Sequence, residues 1–528
     1  MKTYKILFLI LLSLSQFSCK KGLLDPLPKD RLAGELFWKT EQDAIYASNG
    51  VYALLGNQWR YASMDAFSDI GHFVLQWRSE SELEKNTFNA SNNVIADQWS
   101  YHYTIIRAAN DFLENVELVP EIDGVVKSRL IAEVKTLRAY SYVNLVMEFG
   151  DVPLVVTTIT AEQAKSISRT STEEIWNFIS QELTAAATDL PVVQQDLGRI
   201  TKGAALGIQA RAMLYAARYK EAKAAALAVM ELEHYQIDNS YASLFDYAGK
   251  NSKEVIFARQ YVKDLDAHSI FAFFTPNSLF ALQCQVVPTK QLVDAYLVKS
   301  TGLPIDDPLS HFDPRNPYQD RDPRLQHTVF TNGDVLPNGK VLNSLPGSGT
   351  ADDISSSAEN VSPTGWYFKK YVSKSDFSNP WNSGLNLIYL RYAEVLLTYA
   401  EASVELNEID QTVLDAINQL RGRNDVDMPD VIAQNQADLR KIIRRERLVE
   451  LAVEGQRLYD VRRWEIGPQV IKGTVKGMTY INPKNPETLL TVNLAGFVKE
   501  FDAQKHYLWP IPFRELNLNK ELVQNNGY

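Results

Sequence analysis

The sequence predicts a predominantly α fold in which irregular helical hairpins support a loop-rich α+β part. Three observations carry that expectation. Apolar residues recur near a 3.6-residue period through residues 37 to about 235 and again through 385 to about 465. Between them, residues 236 to 380 mix strand-like stretches with many turn signals. The tract from Lys299 to Gly365 contains eight prolines and offers little helix potential.

The N-terminus comes first. Lys2 and Lys5 precede a continuous apolar run from Ile6 to Leu12, which Leu14 extends past Ser13. A bilayer-spanning helix needs about 20 apolar residues, so this run reads as an export signal rather than a membrane span. Small Ser18 then precedes Cys19, and Lys20 and Lys21 follow. The stretch resembles a bacterial lipoprotein signal. The expectation is removal of residues 1–18, lipid attachment at Cys19, and a tether over 19–36. Each buried methylene of an acyl chain contributes about 0.8 kcal/mol, so several chains on one cysteine make a firm anchor. Cys284 is then the one remaining thiol and is expected to be a small buried hydrophobe.

The chain has 54 Lys and Arg against 64 Asp and Glu, for a formal charge of −10. Removing Lys2 and Lys5 with the signal makes it more acidic. That balance argues against a dominant phosphate-binding face, and no nucleic-acid partner is expected.

Along the helical zones each element has its own signals. In "RLIAEVKTLRAYSYVNLVMEFGDVPLV", Leu130, Val134, Leu137 and Tyr140 or Ser141 mark one face, and Gly150 with Pro153 stops the helix. In "RTSTEEIWNFISQELTAAATDLP", Ser171 or Thr172 caps a helix whose face is Ile175, Phe178, Ile179 and Leu183. In "RITKGAALGIQARAMLYAARYKEAKAAALAVMELEHY", Thr201 caps, and Gly203, Ala204, Gly207 and Ala210 permit close helix approach. A turn near Arg218 to Glu221 splits that stretch in two. Small and aromatic positions paired in this way resemble a tetratricopeptide hairpin, but no clean 34-residue array is present. "KEVIFARQY", Lys253 to Tyr261, has strand composition. "YLRYAEVLLTYAEASVEL", Tyr389 to Leu406, returns to helix. "DLRKIIRRERLVELAVEGQRLYDVRRW", Asp438 to Trp464, reads as a solvated or salt-bridged helix, because basic residues alternate with Glu446, Glu450 and Glu454.

Motifs for catalysis are scarce. There is no phosphate-cradling loop, no GxSxG elbow and no HExxH helix. The pairs His311/Asp313 and Asp266/His268 supply too few ligands for a metal, and neither metal nor cofactor is expected. Aromatic residues are more suggestive. Tryptophan offers a broad face to the C–H side of a sugar ring, while Asp, Asn and Arg supply hydrogen bonds. "NQWRYASMDAFSDIGHFVLQW", Asn57 to Trp77, carries both kinds of group. The candidate ligand-binding set is Trp59, Asp65, Asp69, Trp77, Arg78 and Trp366. Trp38 and Trp99 sit in helical patterns and read as core. Trp381 follows Pro380 and reads as an anchor for the next helix.

In order along the chain, "LRAYSYVNLVMEFGDVPLV", "RTSTEEIWNFISQEL", "GRITKGAALGIQARAMLYAARYKEA", "DPRL", "YLRYAEVLLTYAEA", "IRRERLVELAVEGQRLYDVRRW" and "LWPIPFRELNLN" resemble the SusD/RagB family of outer-membrane nutrient-binding lipoproteins. The resemblance covers essentially the whole chain after the signal. It implies one SusD-like domain over 37–528, with scaffold helices mainly in 99–235 and 385–465 and a loop-rich portion in 236–380. It implies a lipid anchor in the outer membrane, exposure at the cell surface, and pairing with a SusC-like TonB-dependent transporter. It implies capture of a glycan, and no catalysis. Family motifs describe the scaffold, so no ligand-binding residue carries over. Some relatives take peptides or other nutrients. Two other classes stay open beside glycan capture: a glycoside hydrolase using a carboxylate pair, and a surface scaffold that binds only protein.

Overall fold

The computed structural model describes residues 37–528 apart from 57–61, 282, 283, 357, 359 and 433. The signal peptide, Cys19, the tether and Trp59 therefore lie outside the described residues. Among those residues, no helix is long and apolar enough to cross a membrane.

The molecule is mostly helical, with small sheets. The principal helices are α1 (Glu41–Ala53), α2 (Glu80–Lys85), α3 (Asn93–Asn115), α4 (Gly124–Phe149), α5 (Thr172–Asp189), α6 (Lys202–Tyr215), α7 (Tyr219–Met230), α8 (Tyr392–Glu405), α9 (Gln411–Arg421), α10 (Gln436–Glu450) and α11 (Arg457–Arg463). From α3 to α7 each helix packs on the next, and α7 packs on α8, which carries α9 and α10. Stacked hairpins bury a continuous core that no single hairpin could bury. Leu137, Tyr142, Ile208, Leu396 and Ile443 lie in it, with Trp38 and Trp99 at its edge.

Local chemistry sets these boundaries. Ser171 and Glu174 form a capping box at the start of α5, and the Thr201 side chain accepts from Ala204 N at the start of α6. Gly150 ends α4 at φ +72°, a left-handed position where glycine carries no Cβ penalty. The chain then turns back, and the Tyr142 hydroxyl bonds both the carbonyl and the amide of Val155. A Cβ on Gly203 would lie 2.2 Å from the Tyr235 ring, so that glycine is required by close packing. Two buried guanidiniums stitch helices together. Arg138 of α4 donates to Glu182 of α5 and to Asn110 of α3. Arg211 of α6 pairs with Glu394 of α8 at 2.5 Å.

Among the described residues, four two-stranded antiparallel sheets complete the fold. They pair β1 (Gly71–Phe73) with β3 (Val286–Pro288), β2 (Val255–Arg259) with β6 (Leu387–Arg391), β4 (Val329–Phe330) with β5 (Tyr367–Phe368), and β7 (Gly473–Ile481) with β8 (Leu489–Lys499). A second core beneath the loop-rich part gathers Phe73, Phe274, Phe368, Tyr371 and Leu387. A small third one holds Phe271, Val287, Tyr367 and Cys284, whose thiol is buried and free.

Three sequence expectations change. Tyr389 to Arg391 belong to β6 rather than to the helix that follows. Trp381 accordingly precedes a strand, not a helix. The basic stretch 438–464 is two helices, because the chain breaks between Glu450 and Arg457 with Val453 and Gly455 at positive φ. It is salt-bridged throughout, exposed at the side chains of Asp438 and Lys441 but closed off from solvent further along. Arg447, Glu446, Glu450 and Asp460 are all buried. Alternating charge gives the same pattern on a solvated face and in a buried ion network. Only the partners from distant segments decide between them.

Candidate ligand-binding rim

The ion network lies between α10 and the loop-rich part. Arg391 meets Glu254 at 2.8 Å, Glu450 at 2.6 Å and Glu454 at 2.7 Å. Arg423 reaches Glu254 and Glu450, each at 2.7 Å. Arg324 of "DPRL" joins Asp322 at 2.7 Å, and Glu446 and Glu450 at 2.9 Å each. Burial alone would raise the Glu450 pKa. Arg423, Arg391 and Arg324 outweigh it and hold the carboxyl well below the usual range. All these groups are closed off from solvent, so the network braces the fold.

Two sequence-predicted residues share this interior. Asp65 is 2% exposed, and its Oδ2 accepts from Val453 N at 2.6 Å. Burial pushes its pKa up to about 7, against the pull of that hydrogen bond and of Lys370. Asp69 forms a bidentate pair with Arg457, 2.8 Å on each arm. Trp366, 2% exposed, sits in the second core and donates Nε1–H to the Tyr318 hydroxyl at 2.8 Å. In this structure Asp65, Asp69 and Trp366 offer a ligand no open face.

Trp77 and Arg78 lie on the surface. Trp77 is 76% exposed. Arg78 follows it, one-third exposed and paired with Glu80 at 3.1 Å. They occupy a loop that leaves β1, and Val74 N donates to Gln285 O at 2.7 Å, drawing this loop beside the segment that enters β3. Upstream in that segment, Phe280 packs edge-on against Trp381, with ring centroids 6.2 Å apart. Trp381 is 45% exposed and Phe377, in the same loop, 38%. Loops 74–78, 276–281 and 377–382 carry the aromatic rings of the candidate rim, with Trp77, Phe377 and Trp381 exposed and Phe280 half-buried.

Polar groups fix the rim's backbone. Asp352 accepts from Asn277 N at 2.7 Å and from Ser278 N at 3.1 Å. Asn338 donates to Ser278 O at 2.8 Å. Asn382 and Asp264 bond each other twice, tying the Trp381 loop to the turn at Val262–Asp266. Aromatic faces on braced loops can stack on a flat, partly apolar ligand while neighbouring Asn and Arg groups bond its hydroxyls.

The model of the SusD family matches residues 253–528, and a second model, described as "Starch-binding associating with outer membrane", matches residues 43–214. The chain belongs to the SusD family. SusD-like protein P2 of Formosa agariphila is 27% identical over the full length of both chains. A crystal structure of a SusD-like carbohydrate binding protein from Bacteroides fragilis is 30% identical, covers 92% of this chain and all of its own, and superposes with a TM-score of 0.84. A laminarin binding SusD-like protein, 21% identical over 93% of this chain and all of its own, shares the fold at a TM-score of 0.72.

Within this SusD family chain, sequence reasoning missed Phe280, Phe377 and the rim position of Trp381. Phe280 and Trp381 are about 100 residues apart, and nothing local in either stretch announces that they meet. The signal that could have found them is the run of turn-formers around each aromatic residue: "FTPNSLF" before one and "SNPWNSG" around the other.

Proposed function

We propose that this protein is a cell-surface lipoprotein of the outer membrane, anchored through Cys19. It captures oligosaccharide or polysaccharide without cleaving it and delivers it to a SusC-like TonB-dependent transporter. The observation that carries this reading is the rim of exposed aromatic rings around Trp77 and Trp381 in a chain of the SusD family. The carbohydrate-binding and laminarin-binding relatives support the same class of ligand. Trp77 and Arg78 of the candidate set contact the ligand together with Phe280 and Trp381, and Trp59 stays a candidate beside them. The sugar's apolar face lies on the rings, and its hydroxyls bond the surrounding Arg and Asn groups. Asp65, Asp69 and Trp366 are buried and hold the interior through Val453, Arg457 and Tyr318.

Calorimetric titration with laminarin, maltohexaose, xylohexaose and a set of peptides tests the ligand class. Saturable heats with at least one glycan are expected. Binding of peptides and of no glycan would overturn the sugar assignment, and release of shortened products would reinstate a hydrolase. The anchor is tested by mass measurement of the mature N-terminus, where an unmodified thiol at Cys19 would remove it. Co-purification with a barrel-forming membrane protein is expected for the transporter partnership.

A further inference from the structure

An exposed tryptophan on a loose loop binds weakly, because ordering the loop and ring opposes association. The Trp77 turn is not loose. Ser81 Oγ lies 2.9 Å from the carbonyl oxygens of both Gln76 and Arg78, the two residues that flank Trp77. Arg78 N donates to Leu75 O at 3.2 Å. Gln76 Nε2 donates back to Phe73 O, closing the turn. Beneath it lies the carboxylate of Glu84, on α2 and 1% exposed.

Glu84 collects the anchors. Its Oε2 accepts from Phe73 N, at the end of β1, at 3.0 Å and from Gln76 Nε2, within the turn, at 3.4 Å. Its Oε1 lies 2.6 Å from Nδ1 of His72 in β1 and 3.3 Å from Lys499 Nζ in β8. Lys499 in turn donates to the carbonyls of Ala66, Ser68 and Gly71 at 3.1, 2.7 and 2.7 Å. One buried carboxylate therefore binds the turn to β1 and the β7–β8 ribbon, while the indole it supports stays in solvent. Burial works against ionisation, but His72 and Lys499 outweigh it and hold Glu84 down to about 2. The carboxylate is thus charged at neutral pH.

We propose that Glu84 is the positioning residue of the rim: it fixes the Trp77 turn so that the ring meets a ligand already ordered. The proposal rests on the rim being the ligand site, and its test separates the two. The full chain is labelled with 5-fluorotryptophan, and the Trp77 resonance is assigned by its loss in Trp77→Phe. In Glu84→Gln the Trp77 resonance is expected to shift and narrow toward that of a mobile ring, while the resonances of the core residues Trp99 and Trp509 stay in place. Affinity for the best-binding of laminarin, maltohexaose and xylohexaose is expected to fall about tenfold. Should Glu84→Gln fail to fold, Ser81→Ala removes the second anchor without stranding a charge, and a loss of roughly threefold with the same fluorine change is expected. An unaltered Trp77 resonance in the folded variants overturns the positioning role. An altered resonance in a protein that binds none of the glycans keeps that role and refutes the glycan reading instead.

Discussion

Arg391 and Arg78 are both arginines beside a glutamate, and Trp366 and Trp77 are both tryptophans in loop-rich sequence. Their surroundings give them opposite duties. Arg391 is fully buried among Glu254, Glu450 and Glu454, whereas Arg78 is one-third exposed and covers a single buried glutamate, Glu80. Trp366 is enclosed with its N–H satisfied by Tyr318, whereas Trp77 stands three-quarters exposed on a braced turn. A buried ion needs every partner in place, since the desolvation it has suffered is returned only by them. An exposed ring needs only the backbone below it. The interior therefore tolerates little change, and the rim can vary its side chains without loss of the fold.

The largest expected effects come from breaking the interior. Arg391→Met leaves three buried glutamates short of a cation and is expected to cost about 3–5 kcal/mol of stability. Arg78→Met, with a half-open arginine and one buried partner in Glu80, is expected to cost less, about 1 kcal/mol. Thermal melts of the pair measure the contrast, and equal melting temperatures would break it. Trp366→Ala opens a cavity in the second core and frees the Tyr318 hydroxyl, for an expected loss of about 3–5 kcal/mol. A Trp366→Ala protein that melts like the parent yet loses ligand would move Trp366 back to the site.

A smaller effect follows from Asp65. Its folded pKa of about 7 lies above the ordinary 3.8, chiefly through burial. The folded state therefore holds the extra proton between those values. This contribution to stability is fully present below pH 3.8 and is lost as pH rises through 7. Asp65→Asn keeps an acceptor for Val453 N and removes the titration. Relative to the parent, the variant is expected to gain about 1.4 kcal/mol per pH unit across that window. Chemical denaturation at pH 5, 6 and 7 measures it; a difference independent of pH would show that Asp65 is already ionised in the fold.

Much of the scaffold was legible because its determinants are local. The Ser171 and Thr201 caps, the stop at Gly150 and the strand at Val255–Arg259 each follow from a few neighbouring residues, and so does the break between α6 and α7, which lies at 216–218, just ahead of the expected Arg218 to Glu221. What was not legible depends on contacts between distant segments. The glutamates of "RRERLVELAVEGQ" look like a solvated face until Arg324, Arg391 and Arg423 arrive from far along the chain. The site was half legible for the same reason. An aromatic residue among turn-formers is a fair sign of a surface ring, and Trp77 obeys it. Trp366 breaks it, because strand β5 starts at the next residue and carries it into the second core. Asp65 and Asp69 read as ligand groups, but Val453 and Arg457 claim them.

The smallest change in stability is expected at Trp77, together with the clearest change in binding. Trp77→Ala removes a ring that touches little of the protein, so the melting temperature is expected to stay within about 1 °C of the parent. Stacking on a sugar face removes apolar area on both partners from water. At about 25 cal/mol per Å² this makes the ring worth about 1–2 kcal/mol, or roughly tenfold in Kd. Trp381→Ala is expected to cost less, because part of that ring is already covered by Phe280 and only the remainder is available to a ligand. Calorimetry on the two variants and their double gives the coupling between the rings. Losses that add place Trp77 and Trp381 under separate parts of one glycan chain. A double variant no worse than Trp77→Ala alone leaves Trp381 outside the site and shrinks the rim to the turn that Glu84 and Ser81 hold.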